Sequence, residues 1–193
     1  ASMRADGTSR FQPDQRWGYF PSAAIAWRAT EESFFEDVTW LDNLKVRAGY
    51  GEVGNRAVGY GATQSTFATG GTARNFGWYP LDGGVPALGV VPNQTNTDIG
   101  LKWETTTSLN AGIDFAILDH KLTGTVDVYS KRGSDILIQS SVPRYTGLTG
   151  QQKNYADIDN NGVEIGLNWN IKNSQDFTWT AYGNFTKNKN IIQ

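Results

Sequence analysis

One stretch decides the fold: Leu101–Phe115, which reads LKWETTTSLNAGIDF. Its odd-numbered positions from 103 carry Trp, Thr, Thr, Leu, Ala, Ile and Phe, and its even-numbered positions from 102 carry Lys, Glu, Thr, Ser, Asn, Gly and Asp. A period of two over this length places the two sets on opposite faces of a pleated strand, whereas a helix would scatter both around its surface. The stretch therefore predicts a long β-strand with one apolar and one polar face.

The same alternation recurs along the rest of the chain. Six further segments read as strands: Ser2–Phe11, Tyr19–Arg28, Leu44–Tyr50, Leu122–Tyr129, Val163–Ile171 and Phe177–Thr186. Tight polar breaks separate the later ones, as expected for hairpins. The sequence thus predicts an all-β fold of about seven antiparallel strands. Little helix is expected apart from a possible turn at Glu31–Asp37.

Composition excludes several classes of function. The 193 residues are 38% hydrophobic, 12% aromatic and 19% charged, with 22 glycines, one histidine and no cysteine. Without cysteine there are no disulfides and no thiol nucleophiles, and the usual zinc ligand sets are missing. The formal net charge of -2 gives no electrostatic support for nucleic-acid binding. We expect no cofactor and no enzymatic activity.

The predicted connections alternate between short and long. Short turns are expected near 30–43, 117–120 and 172–176, and long glycine-rich or polar loops near 11–17, 51–98 and 134–160. In an up-and-down sheet, this alternation puts all the long loops on one side. Several strands also reach the roughly ten residues that a tilted strand needs to cross a bilayer, whereas globular strands average about five or six.

Aromatic residues are placed as a membrane would require. Five lie beside the short turns, namely Trp27, Trp40, Phe115, Trp169 and Trp179, and three lie at the far strand ends, namely Tyr19, Tyr50 and Trp103. Two aromatic belts separated by aliphatic residues are typical of an outer-membrane β-barrel. A secreted carbohydrate-binding β-sandwich and a small closed barrel are the alternatives, and both are also compatible with alternation alone.

Several of these segments resemble one family. Gly18–Arg28 (GYFPSAAIAWR) and Leu44–Asn55 (LKVRAGYGEVGN) are similar to the FPS-x-S-x-AW-R and LK-x-R-x-SYG-x-TGN stretches of SusC/RagA-type TonB-linked outer-membrane proteins. Further resemblances, in order, are LKWE at 101–104, NAGIDF at 110–115, DVYSK at 127–131, NGVE at 161–164, and FTW at 177–179 followed by NFTKNKN at 184–190. Departures are modest, such as Glu52-Val53 where the family often has x-Thr.

The resemblance implies an outer-membrane protein of a Gram-negative cell that imports a large nutrient, an oligosaccharide or a peptide. It implies that residues 1–193 are part of a transmembrane barrel of about 22 strands, with the plug domain outside this chain. The implied partners are a SusD-like surface lipoprotein, the TonB complex acting through the plug, and the lipid bilayer with its lipopolysaccharide. No nucleic acid is expected.

Two groups of residues are candidates for binding. Arg74, Asn75, Trp78 and Tyr79 combine stacking rings with hydrogen-bonding side chains in a glycine-rich loop, so they are candidate solute contacts. They could equally anchor the loop against a neighbouring protein. Asp157, Asp159 and Asn161 copy the first half of a calcium loop, but the position of its bidentate glutamate is occupied by Asn168. They are a weak calcium candidate, and no other metal site is predicted.

Overall fold

The structure is a computed structural model that describes residues 1–61, 63, 100–143, 145 and 150–193, together with the backbone of five short strands between residues 67 and 97. In chain order the strands are β1 (Ser2–Gly7), β2 (Trp17–Arg28), β3 (Leu41–Asn55), β4 (Phe67–Thr69), β5 (Tyr79–Pro80), β6 (Pro86–Ala87), β7 (Val90–Pro92), β8 (Thr95–Thr97), β9 (Glu104–Ile117), β10 (Leu122–Ser140), β11 (Gly150–Asn173) and β12 (Thr178–Ile192). Short 3₁₀ turns occur at Pro13–Gln15, Ala29–Glu31 and Ser33–Phe35. Within the described ranges, no helix has the length and apolar character needed to cross a membrane.

The seven long strands form one antiparallel sheet in the order β1-β2-β3-β9-β10-β11-β12. Each long strand therefore pairs with the next long strand in sequence, and the predicted all-β, up-and-down arrangement of about seven strands is confirmed. β8 adds a short parallel pairing to β11 at Gly150–Gln152. Among the described residues, β1 and β12 each pair on one side only, so the sheet does not close.

The strands extend further than the alternation predicts. β10 continues to Ser140 and β11 begins at Gly150, so most of the loop predicted over 134–160 is strand. The ladder between them runs from Leu122↔Trp169 to Ser140↔Gln151, interrupted by register shifts near Ile136. The prediction was wrong there because a backbone ladder does not require alternation: Ile136, Leu137 and Ile138 are consecutive apolar residues and residues 151–154 are consecutive polar ones, so neither stretch has a period of two. β3 likewise runs past Tyr50 to Asn55.

Strand register divides the sheet into two faces, since directly opposed residues point to the same side. The face that we call the apolar face carries Ile25, Val46, Ala48, Ile113, Val126, Val128, Val163, Ile165, Leu167 and Phe185. The polar face carries Lys45, Arg47, Asn110, Asp114, Thr125, Asp127, Tyr129 and Glu164. The predicted separation into two chemically distinct faces is therefore seen across strands as well as along them.

The apolar face is not covered by a second layer of the described structure. Ile25, Leu167 and Phe185 are 71%, 45% and 56% exposed, although each lies within the sheet. A β-sandwich would pack a second sheet on this face, whereas the other two sheets of the fold, β4–β7 and β5–β6, each have two very short strands. The sandwich alternative therefore lacks its second layer, and the small closed barrel lacks a β1–β12 pairing in the described part of the chain.

The connections define two ends of the sheet. Residues 29–40, 118–121 and 174–177 join strands at the short-turn end, and residues 8–16, 56–103 and 141–149 join them at the long-loop end. At the short-turn end the aromatic side chains point outward, since Trp27, Trp40, Trp169 and Trp179 are between 46% and 61% exposed. Trp27 also donates a hydrogen bond from Nε1 to Glu32 Oε1 at 2.9 Å.

The turn between β9 and β10 has an unusual backbone. Leu118, Asp119 and His120 have φ values of 59°, 57° and 59°, in the left-handed region that L-residues disfavour. Asp42 accepts a hydrogen bond from the His120 backbone N–H at 2.8 Å, which holds this turn against the start of β3.

Candidate functional site

The polar face carries an ion network across three strands. On β3, Arg47 donates from Nη2 to Asp114 Oδ1 at 2.8 Å on β9, and the same nitrogen lies 2.9 Å from Asp127 Oδ1 on β10. Lys45 lies 3.9 Å from Asp114. Two cations and two carboxylates therefore balance one another across the three strands.

Gly112 makes this network possible. It lies opposite both Arg47 and Asp127 in the register of β9. A Cβ at this position would overlap Asp127 Oδ1 and lie 2.9 Å from Arg47 Nη2. Because glycine has no side chain, the guanidinium of Arg47 can lie across β9 and reach the carboxylate two strands away.

Two other glycines on the polar face have the same relation to a large neighbour. A Cβ on Gly49 would lie 2.6 Å from Asn110 Oδ1, and a Cβ on Gly162 would lie 2.5 Å from the Tyr129 ring. In each case the larger side chain lies flat over the bare backbone of the adjacent strand. At these three positions, glycine therefore leaves room on the polar face for a polar side chain of the adjacent strand.

The long-loop end is tied together by polar contacts between strands. Glu104 accepts hydrogen bonds from Asn55 Nδ2 at 2.7 Å and from the backbone N–H of Leu137 at 2.8 Å. Lys102 pairs with Asp135 at 2.9 Å, and its backbone N–H and C=O both bond to the amide of Asn154. These contacts fix the start of β9 against β10 and β11.

A small hydrophobic cluster also lies at the long-loop end. Phe11, Val58 and Leu101 are 1%, 2% and 0% exposed, and Trp103 packs against them. The Trp103 ring makes edge contacts with Phe11 and Phe20 at centroid distances of 5.7 and 5.6 Å. Trp103 therefore does not belong to the outward aromatic belt predicted for it, because it precedes β9, and its ring packs inward on the cluster.

The segment after β3 docks onto the connection between β1 and β2. Arg10 donates to the carbonyl of Val58 at 2.6 Å and lies 4.2 Å from the centre of the Tyr60 ring. Its hydrogen bond and positive charge lower the pKa of the Tyr60 phenol below its ordinary value. Gln12 and Thr63 add hydrogen bonds between the same two segments. Together with the Phe11 cluster, these contacts form a packed layer at the long-loop end, which we call the base of the loops.

A polar cavity of about 400 Å³ opens beside this base, lined by Arg4, Asp6, Gly7, Gly54, Asn55, Arg56 and Trp103. Arg4 is paired with Asp6 at 2.8 Å. Trp103 Nε1 is buried and has no hydrogen-bond partner within the described part of the chain. Sequence reasoning missed this cavity, because its residues come from β1, the end of β3 and Trp103, which come together only through the strand order β1-β2-β3-β9.

The predicted solute contacts lie largely outside the described residues. Arg74, Asn75 and Trp78 are among the residues that the structure does not describe. For Tyr79 only the backbone is described, as part of β5, where it pairs with Ala87 of β6. Their role as solute contacts stays a prediction.

The calcium candidates lie within β11 and not in a loop. Asp157 accepts from Arg132 Nη2 at 2.7 Å and from the Asp135 backbone N–H at 3.2 Å, and Asp159 accepts from Gln193 Nε2 at 2.8 Å. Arg132 thus supplies the positive charge that a cation would supply. Within the described ranges, no three His, Cys, Asp or Glu residues are grouped closely enough to hold a metal ion. Calcium binding by Asp157, Asp159 and Asn161 stays a prediction, and Arg132 competes with it.

Comparison with known proteins gives consistent matches along the whole chain. The family model described as TonB dependent receptor-like, beta-barrel, matches residues 1–192. The chain is 36% identical over 192 residues to the TonB-dependent receptor SusC of Bacteroides thetaiotaomicron, which covers 99% of this chain and 19% of that protein. It is 34% identical over 189 residues to TonB-dependent receptor P3 of Formosa agariphila, covering 98% of this chain and 18% of that protein.

Solved structures agree with these matches. The RagAB peptide importer in its open-open state superposes with a TM-score of 0.81 at 27% identity, covering 98% of this chain and 19% of that chain. Its closed-closed state superposes with a TM-score of 0.79. The chain therefore spans about a fifth of the length of the relatives that it matches.

Proposed function

The chain belongs to the TonB-dependent receptor-like β-barrel family, and from this premise we propose that it forms part of the wall of an outer-membrane importer for a large nutrient. In this proposal residues 1–193 belong to one multi-pass transmembrane barrel of about 22 strands, whose plug lies elsewhere in the protein. The predicted family, named from its motifs, is the one that the comparisons give.

One observation carries the proposal: a single sheet of long strands with an exposed apolar face and a charge-balanced polar face. An apolar face of this extent is unfavourable in water, but it is the lipid-facing surface that a barrel requires. The polar face would then line the interior. Its network of Lys45, Arg47, Asp114 and Asp127 would suit a polar wall that contacts a plug or a solute.

The orientation of the sheet follows from its two ends. Outer-membrane barrels have short turns on the periplasmic side and longer loops outside. The short-turn end, with its exposed tryptophans, would therefore face the periplasm, and the long-loop end would face the exterior. The base formed by the Phe11 cluster would support the external loops.

The partners and the solute are proposed from the relatives. One relative is SusC, and another structure is described as a peptide importer. We therefore include a SusD-like surface lipoprotein at the long-loop end, energy coupling through TonB, and an oligosaccharide or peptide as solute. Arg74, Asn75, Trp78 and Tyr79 remain the proposed solute contacts from this segment. The named relatives are receptors and importers, and we propose no enzymatic step.

The proposal is tested with the full-length protein in a Gram-negative host. Cells expressing it are supplied with fluorescently labelled oligosaccharides or peptides, in strains with and without a functional TonB complex. We expect outer-membrane localisation, uptake of one solute class only when TonB is functional, and co-purification of a surface lipoprotein with the tagged protein. Recovery from the soluble fraction, or uptake of labelled solute that does not depend on TonB, would contradict the proposal.

A further inference from the structure

The ladder between β10 and β11 is interrupted and then resumes with its faces unchanged. Gly133 pairs with Ile158, and Leu137 pairs with Asn154, so both strands advance by the same number of residues between these two pairs. Only Ile136↔Ala156 is formed between them, because an extra residue on β10 is followed by an extra residue on β11. The two register shifts therefore cancel, and no side chain is moved to the other face of the sheet. What the interruption does bring is a local bend and a gap in the backbone pairing.

Beyond the interruption the hairpin is short. Residues 137–140 of β10 pair with residues 151–154 of β11, and we call these four pairs the outer hairpin. β8 adds a parallel pairing along Gly150–Gln152, on the β11 side only. A two-stranded hairpin is at best marginally stable in water by itself. The direction of the outer hairpin therefore depends on its contacts with the rest of the molecule.

Side chains hold the backbone at the interruption. Asp135 has a φ of 59°, in the left-handed region, which a non-glycine residue keeps only where its surroundings impose it. Its N–H donates to Asp157 Oδ1 at 3.2 Å, and its C=O accepts from Asn154 Nδ2 at 2.6 Å. Its carboxylate lies 2.9 Å from Lys102 Nζ. Three side chains thus replace the ladder bonds that the interruption removes.

Asn154 also joins the outer hairpin to the segment just before β9. Its Oδ1 accepts from the backbone N–H of Lys102 at 3.0 Å, and its Nδ2 donates to the C=O of Lys102 at 3.0 Å. The amide of Asn154 therefore pairs with Lys102 as a strand residue would, although β10 lies between β9 and β11 in the sheet. Glu104 adds a second connection by accepting from the N–H of Leu137 at 2.8 Å.

We propose that the interruption is a hinge for the outer hairpin and that Asn154 locks this hinge. In the locked arrangement the outer hairpin is fixed against the start of β9, and Leu137 packs on the Phe11 cluster. When the amide contacts of Asn154 are lost, the outer hairpin swings about Ser134 and Asp135 while the ladder below Gly133 keeps its register. The inference goes beyond the proposed function, because it concerns how a hairpin at the long-loop end is held, whatever the solute.

The test uses the full-length protein in detergent and the variant N154D. Aspartate has nearly the shape of asparagine and can still accept from the Lys102 N–H, but it cannot donate to the two carbonyls. The control N168D makes the same substitution on β11, at an exposed residue opposite Thr123 near the short-turn end. Hydrogen exchange is measured for the outer hairpin and for the lower ladder, where Leu122–Val128 pair with Val163–Trp169.

A distance measurement reports the movement itself. Nitroxide labels are attached at S130C, below the hinge, and at S140C, beyond it, in a background without other cysteines; both serines are exposed. Pulsed electron paramagnetic resonance then gives the distribution of distances between the labels. A locked hinge gives one narrow distribution, and a free hinge gives a broader one.

We expect N154D to accelerate exchange in the outer hairpin about 20-fold, since each of the two lost donations contributes roughly fivefold. Exchange in the lower ladder should stay within about twofold, and the distance distribution should broaden. N168D should match the unmodified protein in the outer hairpin. Equal exchange there in N154D and N168D would overturn the inference, as would equal acceleration along the whole ladder. An unchanged distance distribution in N154D would also overturn it, because the hairpin would then fray without swinging.

If N154D does not assemble, the unmodified protein decides the question. A hinge predicts that amides of the outer hairpin exchange through a local opening that depends less on added denaturant than exchange in the lower ladder. The same denaturant dependence along all of β10 and β11 would contradict the hinge. These outcomes do not depend on whether the protein imports a nutrient, so failure of the hinge and failure of the proposed function are separate results.

Discussion

Replacing Gly112 with alanine should destabilise the protein although it adds only one methyl group. The new Cβ would overlap Asp127 Oδ1 and lie 2.9 Å from Arg47 Nη2 and 3.1 Å from Arg47 Cζ. Arg47 is held in place by its bond to Asp114 at 2.8 Å. The guanidinium must therefore leave β9, and its contact with Asp127 is lost.

The magnitude follows from three contributions. Overpacking of a fixed site costs about 1–3 kcal/mol. Loss of a partly exposed ion pair adds about 0–1 kcal/mol, since the Arg47 and Asp127 side chains are 29% and 28% exposed. Restricting the unfolded chain at a former glycine offsets about 0.5–1 kcal/mol. These ranges together give a loss of about 0–3.5 kcal/mol, and we expect Gly112→Ala to lower the free energy of unfolding by about 2 kcal/mol, near the middle of that range.

Gly51 provides the matched control. It lies on the same face, in β3, and a Cβ there meets only Ser22 Cβ at 3.5 Å, an ordinary contact. Gly51→Ala should be neutral or stabilising by up to about 1 kcal/mol. Full-length protein in lipid vesicles is unfolded with guanidinium, and tryptophan fluorescence gives the midpoint of each variant.

A double-mutant cycle then tests the cause. If the added methyl group acts through Asp127, then Gly112→Ala should destabilise an Asp127→Ala background by clearly less than it destabilises the unmodified protein. Additive effects, or equal destabilisation by Gly112→Ala and Gly51→Ala, would refute the proposed role of Gly112 as the crossing point of the network.

Three further predictions follow from individual sites. Phe20→Ala should lower the free energy of unfolding by about 3 kcal/mol, because this ring is 5% exposed and packs on Trp103; a change below about 1 kcal/mol in the same unfolding experiment would contradict the packing. Leu118→Gly should raise the free energy of unfolding by about 1 kcal/mol, since φ is 59° at this position, whereas the control Lys121→Gly should bring no gain. Millimolar calcium should leave the unfolding midpoint of the unmodified protein unchanged, because Arg132 lies 2.7 Å from Asp157; a raised midpoint would support the calcium site instead.

Alternation predicts the faces of this sheet well and the ends of its strands poorly. Within Leu101–Phe115, the residues from Glu104 onward form a strand whose apolar and polar side chains lie on the predicted faces, because successive side chains of a strand point to opposite faces of the sheet. Leu101 and Trp103 fit the same pattern by sequence but pack into the cluster with Phe11. Sequence periodicity cannot distinguish an apolar residue on a sheet face from one beneath a loop, since both avoid water.

The contacts of the polar face depend on register, which alternation leaves open. Arg47 and Asp127 are 80 positions apart, and they meet only because β3 and β10 flank β9 with Gly112 between them. The sequence nevertheless carries a partial signal, since glycine is otherwise unfavourable within a strand. On the polar face, Gly49, Gly112 and Gly162 each lie beneath a long side chain of a neighbouring strand. Gly51, on the same face, has no such neighbour, so glycine at a polar position suggests a crossing side chain and only the register shows where one occurs.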